Sequence, residues 1–184
     1  MAIKFGPAGN AQSFAAAGFK ATVDAPKWLA DMGLNAYEYQ CGRGVNIGTE
    51  TAGKIGKQAQ KYGITVSLHT PYYINLSSCE PERMEKNIGY ILKSCQAAQA
   101  MGAGHLVVHG GGLGKQTRVR AMENSVSNIR AMLEAMHQHG YTQQTMCLET
   151  MGKQSVIGSA EEICTLVKLD DRLLPCIDSV SYTH

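Results

Sequence analysis

Four apolar runs in this 184-residue chain each end on a side chain able to hold a metal ion: Ser67-Leu68-His69, Leu106-Val107-Val108-His109, Met146-Cys147-Leu148-Glu149 and Leu174-Pro175-Cys176-Ile177-Asp178. Short apolar runs bounded by glycine, proline or polar residues read as buried strands. Their last residues lie 40, 40 and 29 positions apart, room for one loop, one helix and one strand. Strands so spaced form a parallel sheet, because a parallel neighbour needs a long crossover. His69, His109, Glu149 and Asp178 should then emerge at the same edge of that sheet. Imidazole and carboxylate both donate to metal ions, which makes this edge the candidate site.

The rest of the chain fits the same alternation. Residues 3–5 read as a first strand followed by the Gly6-Pro7-Ala8-Gly9-Asn10 loop, and Asp24 is placed to cap a helix that carries Trp28, Leu29 and Met32 and stops at Gly33. Residues 35–39 read as a second strand. Further helices begin at about Thr49 and Glu80, stopped by Gly63 and Gly102, and another carries Val119 to Met136 and stops at Gly140. Ser159 with Glu162 three residues later is a capping box for the last helix. The expectation is an α/β chain of the (β/α)8 TIM-barrel type, incomplete, with about six strands and five helices. An open doubly wound sheet would carry a glycine fingerprint after strand one, and Gly6-Pro7-Ala8-Gly9 has the wrong spacing. Residues 1–178 are expected to form a single partial barrel, and 179–184 a non-native or disordered tail.

Composition narrows the function classes only a little. A net charge of +2 neither argues for nor excludes nucleic acid. The six cysteines form no Cys-x-x-Cys pair, no signal peptide precedes the first strand, and no run reaches the ~18 apolar residues of a membrane span, so a cytoplasmic protein with reduced thiols is expected.

The segments Lys4-Phe5-Gly6-Pro7-Ala8-Gly9-Asn10, Tyr39-Gln40-Cys41-Gly42-Arg43-Gly44-Val45-Asn46, His69-Thr70-Pro71-Tyr72-Tyr73-Ile74-Asn75-Leu76, His109-Gly110-Gly111-Gly112, Leu148-Glu149-Thr150-Met151-Gly152-Lys153 and Cys176-Ile177-Asp178 occur in this order at barrel spacing. Together they resemble the endonuclease IV family of apurinic/apyrimidinic endonucleases, within the xylose-isomerase-like TIM barrels. The resemblance implies a DNA-repair hydrolase with three zinc ions that cuts abasic double-stranded DNA 5′ to the lesion, and a monomer when intact. It assigns His69 and His109 to the first zinc, Glu149 to a catalytic bridge between the first and second, and Asp178 to the second; Arg43 and Tyr72 become DNA contacts. The pattern breaks after Asp178, where the family has a histidine three positions on and this chain has Ser181. One zinc or a partial pair, and little or no incision, are therefore expected of this chain. The rival implied by the same superfamily is a sugar isomerase or epimerase that uses one divalent metal.

Blander readings apply to other residues. His105 opens its strand on the far rim, His137 and His139 sit near a helix C-terminus, His184 is a disordered end, and the methionines fill core. Glu38 faces either the barrel mouth or a salt bridge, and Gly110-Gly111-Gly112 either cradles phosphate or leaves room around a metal.

Overall fold

The structure is a computed structural model that describes residues 3–182, so His184 lies outside the described residues. Helices α1 (Gln12–Ala16) and α2 (Ala25–Asp31) precede the sheet, followed by β1 (Ala36–Gln40), α3 (Thr49–Tyr62), β2 (Thr65–His69), α4 (Pro81–Met101), β3 (His105–His109), α5 (Arg118–Gln138), β4 (Thr145–Glu149), α6 (Ala160–Leu166), β5 (Leu173–Cys176) and α7 (Ser179–Tyr182). The strands pair in parallel in the order β1-β2-β3-β4-β5. That order settles the architecture. A doubly wound sheet reverses direction at a switch point, whereas a barrel wall adds each strand beside the one before it.

One face of the sheet is apolar: Tyr37, Val66, Leu68, Leu106, Val108, Met146, Leu148 and Leu173 are all buried. Ile55 of α3, Ile91 and Cys95 of α4, Ile129, Met132 and Met136 of α5, and Ile163 and Leu166 of α6 belong to the same core. Burying a side chain of this size stabilises by roughly 1.5–3 kcal/mol. The pleat sends the alternate residues Glu38, Ser67, His69, Val107, His109, Cys147, Glu149 and Cys176 to the other face, the inner wall of the barrel. Helix ends follow the sequence signals. Gly63 and Gly102 take the left-handed conformation just past α3 and α4, and both halves of the Ser159–Glu162 capping box are formed.

The structure departs from expectation near the N-terminus. Residues 3–5 are not a strand. The Phe5 carbonyl accepts the Asn35 and Ala36 amides, and the Pro7 carbonyl accepts that of Glu38, but the bridge formed here is the isolated one of Ala8 with Glu38. Pro7 has no amide hydrogen to give a ladder, and a Cβ on Gly6 would stand 1.6 Å from the Ala36 carbonyl oxygen, so the segment runs beside β1 without pairing regularly. Among the described residues the sheet therefore has five strands rather than six. Asp24 makes no side-chain cap for α2, because a 3-10 turn over Thr22–Asp24 already gives it helical dihedrals. Helix α1 has no sequence signal of its own, being little more than a single turn in an alanine-rich stretch.

Among the described residues no helix is long and apolar enough to cross a membrane. The six cysteines are all free.

Candidate metal centre

Parallel register carries three of the four predicted donors to one point. His109 and Glu149 are directly paired across β3 and β4, and His69 ends β2, one strand over. Their ligand atoms all lie within 4.8 Å of one another. The Nε2 atoms of His109 and His69 stand 2.8 and 3.4 Å from Glu149 Oε2, and the imidazoles meet edge to face, centroids 4.9 Å apart.

The hydrogen bonding within this trio is incomplete. His69 Nδ1 is 2.8 Å from the Thr70 carbonyl oxygen, which can only accept, so Nδ1 carries the hydrogen. In the neutral ring Nε2 then presents a lone pair to Glu149. Glu149 Oε2 is buried and receives no well-aligned hydrogen bond in spite of its two imidazole neighbours. Lone pairs converging on a buried point are what a cation or a proton satisfies, and a ligating histidine tied through its other nitrogen to a carbonyl is the usual outer support of a metal site.

The charge balance agrees. Burial alone would raise the Glu149 carboxyl, but the close approach of His109 and His69 outweighs it and holds the pKa at about 2. For His69 burial pulls downward, and the contacts with Glu149 and the Thr70 carbonyl overcome it, so its pKa is raised above 6.5. On the same face, with Cys147 two residues before Glu149 and Cys176 paired directly with it, burial pushes the two thiols up to about 11 and about 12.

Asp178 lies two residues beyond β5 and outside this three-residue group. Its amide donates to Thr150 Oγ1 at 2.9 Å, and its Oδ1 accepts the Val180 amide at 3.0 Å. Arg43 is exposed, and so is Tyr72, at 61 %. The two are neighbours at the rim, because the Tyr72 amide donates to the Gly42 carbonyl at 3.3 Å. Tyr73 is the packing member of the tyrosine pair, wedged edge-on between Tyr72 and Tyr90. Glu38 faces the barrel interior, not a salt bridge: it accepts from Gln40 Nε2 at 2.8 Å and Ser67 Oγ at 3.3 Å.

Several positioning residues carry no clear mark in the sequence. A buried threonine follows two of the donors. Thr70 gives both its amide and its hydroxyl to the Val107 carbonyl, and the Thr150 amide donates to the Cys176 carbonyl, so each strand end is stapled to its neighbour. The glycine run after His109 serves close approach. A Cβ on Gly110 would fall 2.0 Å from the Ile157 carbonyl oxygen, and one on Gly111 2.1 Å from Asn75 Oδ1. Asn75 Nδ2 and Ser77 Oγ both donate to the Gly112 carbonyl. The one available signal is the threonine directly after His69 and again after Glu149, but sequence spacing alone does not pair such residues across loops.

The loop after Glu149 is held by an ion pair. Arg118 donates from Nε to Glu162 Oε1 at 2.6 Å and from Nη2 to Oε2 at 2.8 Å, and also reaches the Gln154 and Val156 carbonyls. Glu162 Oε2 further accepts the Gly158 and Ser159 amides at 2.9 Å. Glu162→Ala is expected to lower stability by roughly 2 kcal/mol, since it strands the guanidinium and two amides together. Burial raises the Glu162 carboxyl, but Arg118 and the amides more than reverse this and leave it below 4.5. Its contribution is therefore full above pH 4.5 and fades as pH falls through the depressed value. Urea melts of the two proteins should converge at low pH; a gap unchanged by acid would refute the assignment.

The family model described as "Xylose isomerase-like TIM barrel" matches residues 26–180. An uncharacterized protein of Methanocaldococcus jannaschii is 32% identical over 152 residues, covering 82% of this chain and 53% of its own length. A protein of Staphylococcus epidermidis named "Probable endonuclease 4" is 33% identical over 138 residues, covering 70% and 44%. The chain thus spans about half the length of the curated relatives it matches. Among solved structures, the D-psicose 3-epimerase of Clostridium cellulolyticum superposes with TM-score 0.74 at 14% identity over 90% of this chain and 60% of that one. Endonuclease IV of Thermus thermophilus superposes with TM-score 0.64 at 22% identity over 88% and 59%. At such identities these superpositions speak for the fold alone.

Proposed function

Since the chain belongs to the xylose isomerase-like TIM-barrel family, we propose that His69, His109 and Glu149 are zinc ligands in a DNA-repair endonuclease that hydrolyses the phosphodiester 5′ to an abasic site. The observation that carries this reading is the buried Glu149 oxygen facing two imidazoles without a well-aligned hydrogen bond. The curated relatives named as endonucleases favour it over other metal chemistry. Asp178, together with Glu149, would hold a second ion. A cytoplasmic monomer acting on abasic duplex belongs to the same proposal.

The donor set suits zinc, with two neutral imidazoles and a carboxylate. A bound zinc would supply a water acidic enough to ionise near neutral pH and a positive charge beside the phosphate. The chain's own residues have separate tasks. The Thr70 carbonyl fixes the His69 tautomer, so that Nε2 is free to bind. Thr70 and Thr150 hold the strand ends in register. Arg43 presents a guanidinium fork to a phosphate, and the exposed Tyr72 ring offers a surface to unstacked DNA.

A second reading, a sugar isomerase or epimerase, draws on Glu38. Its carboxylate lies on the inner wall among Gln40 and Ser67, where a small polyol could reach it. Metal content and ligand binding separate the two. Zinc retained through purification, with zinc-dependent binding of abasic over intact duplex that is lost in His109→Ala, supports the nuclease. A single manganese or magnesium, with binding of a free ketose and no preference for abasic DNA, would overturn it.

A further inference from the structure

A cleft of about 640 Å³ opens between the loop leaving His69 and the loop leaving His109, apart from the metal ligands themselves. Asn75, Ser78, Cys79, Glu80 and Arg83 line one wall, and Gly112 to Gln116 the other. The two walls are locked together. Asn75 Nδ2 and Ser77 Oγ donate to the Gly112 carbonyl, Gln116 Nε2 donates to the Ser77 carbonyl at 3.0 Å, and Asn128 Nδ2 ties down the Leu76 and Ser78 carbonyls. The backbones of the two walls are therefore held at a set separation, which lowers the ordering cost of binding between them.

Each wall contributes one exposed cation, Arg83 from the first turn of α4 and Lys115 from the opposite loop. Among the described residues neither is held in an ion pair. Two cations lining one cleft repel, and an anion bound between them relieves that repulsion. Glu80 is the acid in this lining and works against such an anion, which gives the site a built-in control.

We propose that this cleft is a phosphate-binding subsite, in which Arg83 and Lys115 hold a phosphoryl group of a substrate whose reacting end lies at the metal centre. The assignment rests on the metal-centre reading only for which phosphate arrives: a phosphodiester of the DNA flank, or the phosphate ester of a sugar.

The experiment uses the zinc-loaded wild-type protein and three variants, Arg83→Ala, Lys115→Ala and Glu80→Gln, all at exposed positions that leave the core untouched. Binding is measured to a labelled abasic duplex by anisotropy, and to fructose 6-phosphate and inorganic phosphate by calorimetry, at several salt concentrations. Expected is a loss of about 5–10-fold for each cation variant and a gain for Glu80→Gln, with the slope of log affinity on log salt falling by about one for each cation removed from a phosphate. These effects on the duplex name DNA as the source; the same effects on fructose 6-phosphate alone retain the subsite and retire the endonuclease. Binding of every probe unchanged in all three variants would overturn the subsite and, where the abasic duplex still binds, leave the endonuclease standing. A wild-type protein that binds none of the three probes overturns both.

Discussion

Glu149→Gln should cost the protein its metal while leaving the fold in place. The amide keeps the size of the side chain but not the negative charge that Oε2 sets beside both imidazoles for a cation. Loss of even an outer-shell partner costs metal sites 10–100-fold, so removing a charged ligand is expected to weaken zinc by about 100-fold or more. In the wild type, zinc at about 100 times its Kd adds roughly 2.7 kcal/mol of stability, or about 5–10 °C in Tm for a chain of this size. In Glu149→Gln that gain should vanish. The pH dependence has a definite sign. Without metal, the stability supplied by Glu149 is complete above 4.5 and lost as pH falls toward about 2. That supplied by His69 is complete below 6.5 and lost as pH rises through its raised value. The metal-free trio therefore stabilises most between those two limits. Zinc needs the imidazoles neutral, so its thermal gain should grow on going from about pH 5.5 to about pH 8. Calorimetric scans with and without zinc across that range check both statements. A zinc gain that is flat with pH, or that survives in Glu149→Gln, would place the metal elsewhere.

The second large effect comes from a residue with no side chain. Gly111 has φ +91°, and a Cβ there would sit 2.1 Å from Asn75 Oδ1 and 2.7 Å from the Asn75 backbone. The backbone atom cannot swing away as a flexible side-chain tip would. Gly111→Ala is expected to destabilise by about 3–4 kcal/mol, combining an unfavourable backbone conformation with a forced separation of two loops. Those loops begin at His69 and His109, so zinc affinity should fall along with stability. Gly114→Ala is the control. Gly114 also has positive φ, at +60°, but meets nothing within 4 Å, so only the conformational cost of about 1 kcal/mol is expected. Equal melting temperatures for the two variants would show that the approach to Asn75 is unimportant.

The contrast between these two positions marks how far local sequence signals reach. The strand ends at His69, His109 and Glu149 are legible, because apolar runs, helix periodicity and glycine stops are local signals that repeat in this chain with each βα unit. Their convergence follows from spacing. The segment at residues 3–5 looks like a strand and is not one, because Pro7 and Gly6 block a regular ladder through their fit against Ala36 and Glu38, a relation across about thirty residues that no local pattern encodes. The Thr70, Asn75 and Arg118–Glu162 interactions are hidden for the same reason. Glycine at 111 and glycine at 114 look alike in the sequence, and only the tertiary neighbour distinguishes them.

The strand order has a consequence for how the molecule is made. Every strand pairs with the strand immediately before it in the chain, so each new βα unit can dock on a finished edge as soon as it leaves the ribosome. No early strand has to wait for a distant one, and loop closure at each step spans only one helix. The exception is His69: its partner Glu149 arrives two units later, so the metal centre is completed only when β4 docks.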